Sequence, residues 1–369
     1  MSTDNIITTR AVAALRSFFV GDALSMPVHW FYNPLDIQRA FPGGITQMEA
    51  APAFHPSSIM SLHSTNAGGR GAQNSDSGQE VVGDVILKDK RKFWGIPKQH
   101  YHQGLPAGEN TLNAWCARLL MTSITKHKAY DAGVFAQDYI DFMTADTAQH
   151  PDTYAESYHR GFFANLTAGK QIDQCGAVTH DTPSIGGLVT IVPLALYELL
   201  RGVEISRVQA TCRQHLHLTH PDETLSRVCD SLVALFNNLL HRQVNEDPLP
   251  LLAEASKCIP NTRLETLVKK APSDLHVIGR QYSSACYITD SWPSMLYLAA
   301  KYQPDVRAAL LANTNAGGEN AHRGAVLGSI VGLISGEFAS GLYDQLLHRE
   351  TISKEVDNFL KLSCNSTNL

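Results

Sequence analysis

The sequence predicts an all-α fold, a single helical domain over residues 1–369 with an elaborated loop segment at about 54–103. Three observations carry this expectation. Apolar residues recur at helical spacing through most of the chain. Alternating, strand-like patterns are scarce. Apolar residues make up 44% of the composition and charged residues 18%, enough for a large buried core and unlike a disordered chain.

Taken in order, residues 9–24 place Val12, Leu15, Phe18 and Phe19 on one side, with alanines elsewhere. Thr111 can cap a helix continued by Leu112, Trp115, Cys116, Leu119 and Leu120. The same spacing predicts helices over 188–200, 205–216, 223–240, 293–302, 305–312 and 325–334. In the last of these, Gly324, Gly328, Gly332 and Gly336 share one face, which predicts a close helix crossing. Residues 81–88 are the one short stretch ambiguous between strand and helix. Trp30, Tyr32, Trp292 and Tyr297 are expected in the core or along a cleft wall.

Residues 54–103 differ in character, being rich in Ser, Asn, Gly, Lys and His. A stretch of that length without periodicity is a functional loop or an insertion. Within it, Gly68-Gly69-Arg70-Gly71 suits an anion as well as it suits a plain flexible loop. His100 and His102 flank Tyr101 shortly before Glu109, either over a site or facing solvent.

A net charge of -5 gives no basic footprint and argues against a nucleic-acid partner. No apolar run is expected to approach the roughly 18–20 residues of a membrane span, the best candidate being 325–335. The N-terminus MSTDNIITTR lacks the layout of a secretory signal. Seven dispersed cysteines without a CxxC pair read as reduced thiols, so a cytoplasmic location is expected.

Several short motifs occur in one order: Gly21-Asp22-Ala23-Leu24 with Pro27, Glu109-Asn110-Thr111, Leu218-Thr219-His220, and Asn315-Ala316-Gly317-Gly318-Glu319 followed by Gly324 and Gly328. Their order and spacing resemble the ADP-ribosylglycohydrolase family over residues 11–336, apart from 54–103. The resemblance implies a helical single domain that cleaves the glycosidic bond between ADP-ribose and an acceptor. It also implies two divalent metals, magnesium or manganese, between an early acid-acid loop and a late GGD-x-D-(S/T) loop, because hard cations need several oxygen ligands.

The chain departs from that pattern at the metal positions. Glu109 and Asn110 stand where the family has two aspartates, with Thr111 retained. Glu319 replaces the first late aspartate, Ala321 the second and His322 the hydroxyl residue. His29 stands where a glutamate is common. Around Gly186 the usual Asn and Arg become Ile185 and Thr190. Two glutamates cannot neutralise two divalent cations as four aspartates do, so the magnesium or manganese pair is expected to be lost and no cofactor is expected. A single softer ion held by Glu109, Glu319, His29 and His322 is the alternative.

Carboxylates and imidazoles nevertheless fill most of the site positions. The expectation is therefore acid–base cleavage of a ribosyl bond by Glu109, Glu319, His322 and His29. Asp22, Asn110, Thr111, Asn315, Asn320, His102 and Gly186 would bind an ADP-ribose-like or other ribosyl ligand. A non-catalytic member, of the kind that J-type lens crystallins represent in this fold, is the competing reading. His220 and the His180-Asp181 pair are read as structural or weak candidates.

Overall fold

The computed structural model describes residues 3–66, 80–270 and 273–365, and they form an all-α protein. Ten helices matter below: α1 (Thr3–Ser25), α2 (Leu112–His127), α3 (Ser157–Thr167), α4 (Ile191–Leu200), α5 (Ile205–His217), α6 (Glu223–His241), α7 (Ile288–Tyr302), α8 (Val306–Ala316), α9 (Asn320–Ser335) and α10 (Arg349–Asn365). Among the described residues no strand forms; isolated bridges tie Phe54 to Gln99 and Ser184 to Tyr287. Residues 81–88, ambiguous by pattern, form a single turn at Val81–Val85 containing Gly83 at φ 104°. The Gly68-Gly69-Arg70-Gly71 stretch lies outside the described residues.

Local chemistry explains several helix starts. Asp222 accepts from the Leu225 N–H at 2.8 Å to open α6, and Asp305 accepts from Ala308 at 2.9 Å to open α8. Three starts lie earlier than apolar spacing indicates: α1 begins at Thr3, α7 at Ile288 and α9 at Asn320. Pro293 sits inside α7, and α9 begins at Asn320 because its polar first turn is buried, Asn320 and Arg323 being fully enclosed. Polar residues inside a core carry no apolar period, which hid that turn.

The centre of the fold is α1 against α9. A Cβ at Gly324 would lie 2.6 Å from the Gly21 carbonyl oxygen, at Gly328 2.3 Å from that of Ser17, and at Gly332 2.7 Å from that of Ala13. The two backbones therefore touch over three turns, with room for hydrogen only. This is the close crossing that the glycine spacing predicts. Around the pair, α8 and α7 lie on one side, α6 and α4 on another, and α10 bridges α1 and α2.

Residues 5–28 are apolar and long enough to cross a membrane, which corrects the expectation that no such stretch exists. Its alanines raise the mean hydropathy to 1.3 without an unbroken run of large apolar residues. Because 89% of that window is buried inside the protein, it is covered by the protein's own helices.

Gly328→Ala is expected to lower unfolding stability by about 1–3 kcal/mol through overpacking. The readout is a lower urea midpoint at unchanged m value. Gly341→Ala, which meets nothing within 4 Å, should leave the midpoint in place.

Candidate functional site

Behind α1 the chain runs through Met26–Val28 to His29 and Trp30, and there it meets the turn that opens α9. Gly317 and Gly318 adopt φ of 70° and 67°, and a Cβ on either would lie within 2.2 Å of a backbone oxygen, of Phe31 or of Ser284. Trp30 donates its N–H to the Gly318 oxygen at 2.8 Å, and Gly318 donates to Phe31 at 2.9 Å. Trp30 itself is held at φ 63°, a conformation that costs a bulky residue about 1–3 kcal/mol. In return its indole N–H reaches Glu319 Oε2 at 2.5 Å.

Glu319 is the knot of the site. Its Oε1 accepts from His29 Nε2 at 2.9 Å and from His322 Nδ1 at 2.7 Å. Burial penalises its charge, yet His322 and His29 outweigh burial and hold it well below the ordinary glutamate range. His322 shows the counterpart. Burial opposes its protonation, but Glu319, then Glu156 and Asp22, raise it to about 9.

Hydrogen bonds continue from His29 away from Glu319. His29 Nδ1 lies 2.8 Å from His102 Nε2, and His102 Nδ1 lies 2.8 Å from Asp152 Oδ1. Burial drives His29 down to about 3, so it is neutral. With its one proton on Nε2 toward ionised Glu319, its Nδ1 must accept from His102. His102 then donates at both nitrogens, as an imidazolium whose pKa burial lowers but Asp152 raises overall. Asp152 is buried and also accepts from the Leu112, Thr153 and Tyr154 N–H groups.

His322 Nε2 faces the Asn113 carboxamide at 2.7 Å and Glu156 Oε1 at 3.3 Å. Asn113 reaches on to His159 at 2.8 Å and to the Tyr158 hydroxyl. An amide NH2 serves a neutral imidazole, whereas an imidazolium needs the amide oxygen. Protonation of His322 is therefore coupled to a half-turn of Asn113.

Above this network opens a cavity of about 200 Å³. Trp30, Tyr101, Tyr154 and Tyr158 wall it, with Glu156, Glu319 and His322 at its base and Tyr32, His180 and Asp181 also lining it. The Trp30, Tyr101 and Tyr154 rings meet edge to face at centroid distances of 4.6–5.3 Å. Residues from 54–103 contribute Ile59, His63 and Tyr101, so this segment forms part of the wall. Trp292 and Tyr297, in contrast, are core.

Glu156 was not legible as a site residue. It precedes α3 within an unremarkable PDTYAES stretch and acquires meaning only by packing. Burial pushes its carboxyl up to about 7, with His322 opposing, and its Oε2 has no hydrogen-bond partner.

Of the residues singled out by sequence, His29, His102, Glu319 and His322 come together. Asp22, Asn110 and Thr111 form a separate buried set: Asp22 accepts from the Asn110 amide, the Thr111 N–H and the Thr111 hydroxyl at 2.7–2.8 Å. Burial raises the Asp22 pKa against those hydrogen bonds. Glu109 does not join Glu319 in the cavity lining. It turns to Trp115 Nε1 at 3.1 Å and His348 Nε2 at 3.0 Å, because the start of α2 packs beside α10. Asn315 is a clamp on Ile45, and the Asn320 amide donates to the Thr314 and Val28 carbonyls. Gly186 packs under the site, where a Cβ would lie 3.1 Å from the Tyr158 hydroxyl and 3.3 Å from His322 Nδ1. His220 lies against Tyr158 with ring centroids 4.0 Å apart at a 47° tilt, and His180 pairs with Asp181 at 3.0 Å on the cavity wall.

The profile of the ADP-ribosylglycohydrolase family matches residues 3–368, nearly the whole chain. The chain belongs to the ADP-ribosylglycohydrolase family. A solved structure described as an ADP-ribosylglycohydrolase-related protein complex superimposes with a TM-score of 0.59 at 15% identity, covering 97% of this chain and 99% of that one. At that identity the match speaks for the shared fold. No curated protein matches. Within this family member, His29, Glu319 and His322 form one buried cluster. Their ligand atoms lie within 4.8 Å of one another, close enough to converge on one ion.

The raised His322 pKa has a pH signature. Its contribution to stability is complete below the unfolded value of 6.5 and is lost as pH rises through about 9. The stability gap between the protein and His322→Gln, from urea unfolding, should therefore be largest near pH 6 and shrink by pH 9.5. A gap that does not change with pH would place a neutral imidazole there.

Proposed function

We propose that this ADP-ribosylglycohydrolase-family protein hydrolyses a ribosyl glycosidic bond in the Trp30–Tyr154 cavity, without the family's pair of divalent metals. The observation that carries the reading is the cavity base, where two buried carboxyls of opposite character flank His322. Glu156 titrates near neutrality and Glu319 stays ionised. Carboxyls pushed apart in this way are what acid–base chemistry at an anomeric carbon requires.

The donor set does not fit a magnesium or manganese pair. Glu109 faces Trp115 and His348, Asn110 is committed to Asp22, and Ala321 offers no ligand atom. His29 and His322 supply nitrogens, while both Glu319 oxygens already accept N–H donors. Hard cations prefer oxygen, at octahedral or higher coordination. A single softer ion would have to replace the hydrogen bonds that His29 Nε2 and His322 Nδ1 make to Glu319 Oε1.

In this reading Glu156 exchanges the proton that the reaction moves. Glu319 remains ionised and favours the positive charge that develops on the ribose. His322 keeps Glu319 ionised and screens the two carboxyls from each other. The aromatic wall excludes bulk water and positions the ring. Saturation of both Glu319 oxygens by three donors favours a second reading, a ligand-binding member that retains the cavity without turnover.

Hydrolysis of ADP-ribosyl and N-ribosyl compounds by the purified protein is the deciding measurement. Glu156→Gln should lower kcat/KM by about 100-fold or more with the fold retained. Equal rates would remove Glu156 from the mechanism, and no turnover by the unmodified protein would leave the ligand-binding reading. Metal analysis and chelator treatment should find no bound pair and unchanged activity; two tightly held ions per chain would overturn the metal-free proposal.

A further inference from the structure

The cavity holds a second message, about the charge of what enters it. We infer that it is built for an unphosphorylated N-riboside whose planar base carries a positive charge, such as a pyridinium riboside. This rests on the hydrolase reading for its chemistry, but its binding component stands separately.

Among the described lining residues there is no lysine or arginine, and the His322 imidazolium is already held between Glu319 and Glu156, while Asp181 adds a further carboxyl to the lining. Arg160, in α3, is not part of the lining; its guanidinium lies against the rings of Trp94 and Tyr154, 5.1 and 5.6 Å from their centroids. A diphosphate needs cations or free helix N-termini. Two helices, α3 and α9, begin at this cavity, and each is headed by one of the protein's own glutamates, Glu156 and Glu319. The positions where phosphate oxygens would gain most are thus already anionic.

A cation meets the reverse situation. Aromatic faces attract organic cations, more strongly when desolvated, and Trp30, Tyr101 and Tyr154 form one continuous corner. Glu156 is 8% exposed; its Oε1 faces His322 Nε2 at 3.3 Å, and its Oε2, with His159 Nε2 3.6 Å away, makes no hydrogen bond, so its charge is only partly paired beside the cavity. Size agrees. About 200 Å³ lies below the roughly 300–1,000 Å³ of sites for drug-sized ligands and suits a nucleoside better than a dinucleotide.

The charge also simplifies the reaction. When the bond between the anomeric carbon and a cationic ring nitrogen breaks, the bonding pair returns to nitrogen and the base leaves neutral. No proton has to be donated to it. Water supplies the new carbon–oxygen bond, and its proton passes to the Glu156 carboxylate.

Two probe pairs test this by calorimetry and initial rates on the full chain. 1-Methylnicotinamide should bind at least about tenfold more tightly than uncharged nicotinamide, and Asp181→Asn with Tyr32→Leu should shrink that ratio. Nicotinamide riboside should be hydrolysed with at least about tenfold higher kcat/KM than NAD, which adds the diphosphate. Equal binding of charged and uncharged bases, or preference for NAD or ADP-ribose, would overturn the inference. Charge-selective binding with no hydrolysis of any riboside would keep it and sink the hydrolase reading. Turnover of ADP-ribosyl substrates without charge selectivity would do the opposite.

Discussion

Everything at the site depends on two helix backbones lying in direct contact. Were α1 and α9 held apart by side chains, the residues that follow one and precede the other would not meet. Because Gly324, Gly328 and Gly332 remove those side chains, the end of α1 and the start of α9 are fixed against each other. His29 and Trp30 then reach Glu319 with three donors on one carboxylate. A charge buried this deeply is tolerable only with such complete pairing, so the packing constraint and the electrostatics are one arrangement.

From Glu319 outward, charge alternates through the buried network. Ionised Glu319 is followed by neutral His29, protonated His102 and ionised Asp152 on one side, and by protonated His322 and Glu156 on the other. In the metal-free reading, imidazolium groups supply the positive charge that ions would otherwise bring. Such a charge is tied to proton uptake, so the site answers to pH where a metal centre answers to ion supply.

Much of this frame was legible in the sequence, and the reasons are physical. Glycines at every fourth residue are costly in a helix unless something lies against them, so they announced the crossing. Gly317-Gly318-Glu319 announced a tight turn into a helix start. Glu156 was invisible because its neighbours in space, His322 and His159, are far away or unremarkable in sequence. Glu109 shows the complementary case. Family position identifies a loop, but the direction of a side chain at its tip is decided by what packs beside it, here Trp115 and His348. Trp30 was expected in the core or along a cleft wall and lines the cavity, but nothing local signals a left-handed tryptophan.

The pairing of α1 with α9 also bears on how the protein is made. The ribosome releases α1, an apolar segment with the composition of a membrane span, well before α9. Its partner emerges roughly 300 residues later, which at 5–20 residues per second is about 15–60 s of synthesis. Throughout that interval the central helix lacks its main partner, and shielding it falls to chaperones or to the neighbouring helices already made, such as α4 and α6. The last sixth of the chain supplies the partner of α1, so a product truncated before α9 would leave the glycine-matched face of α1 uncovered.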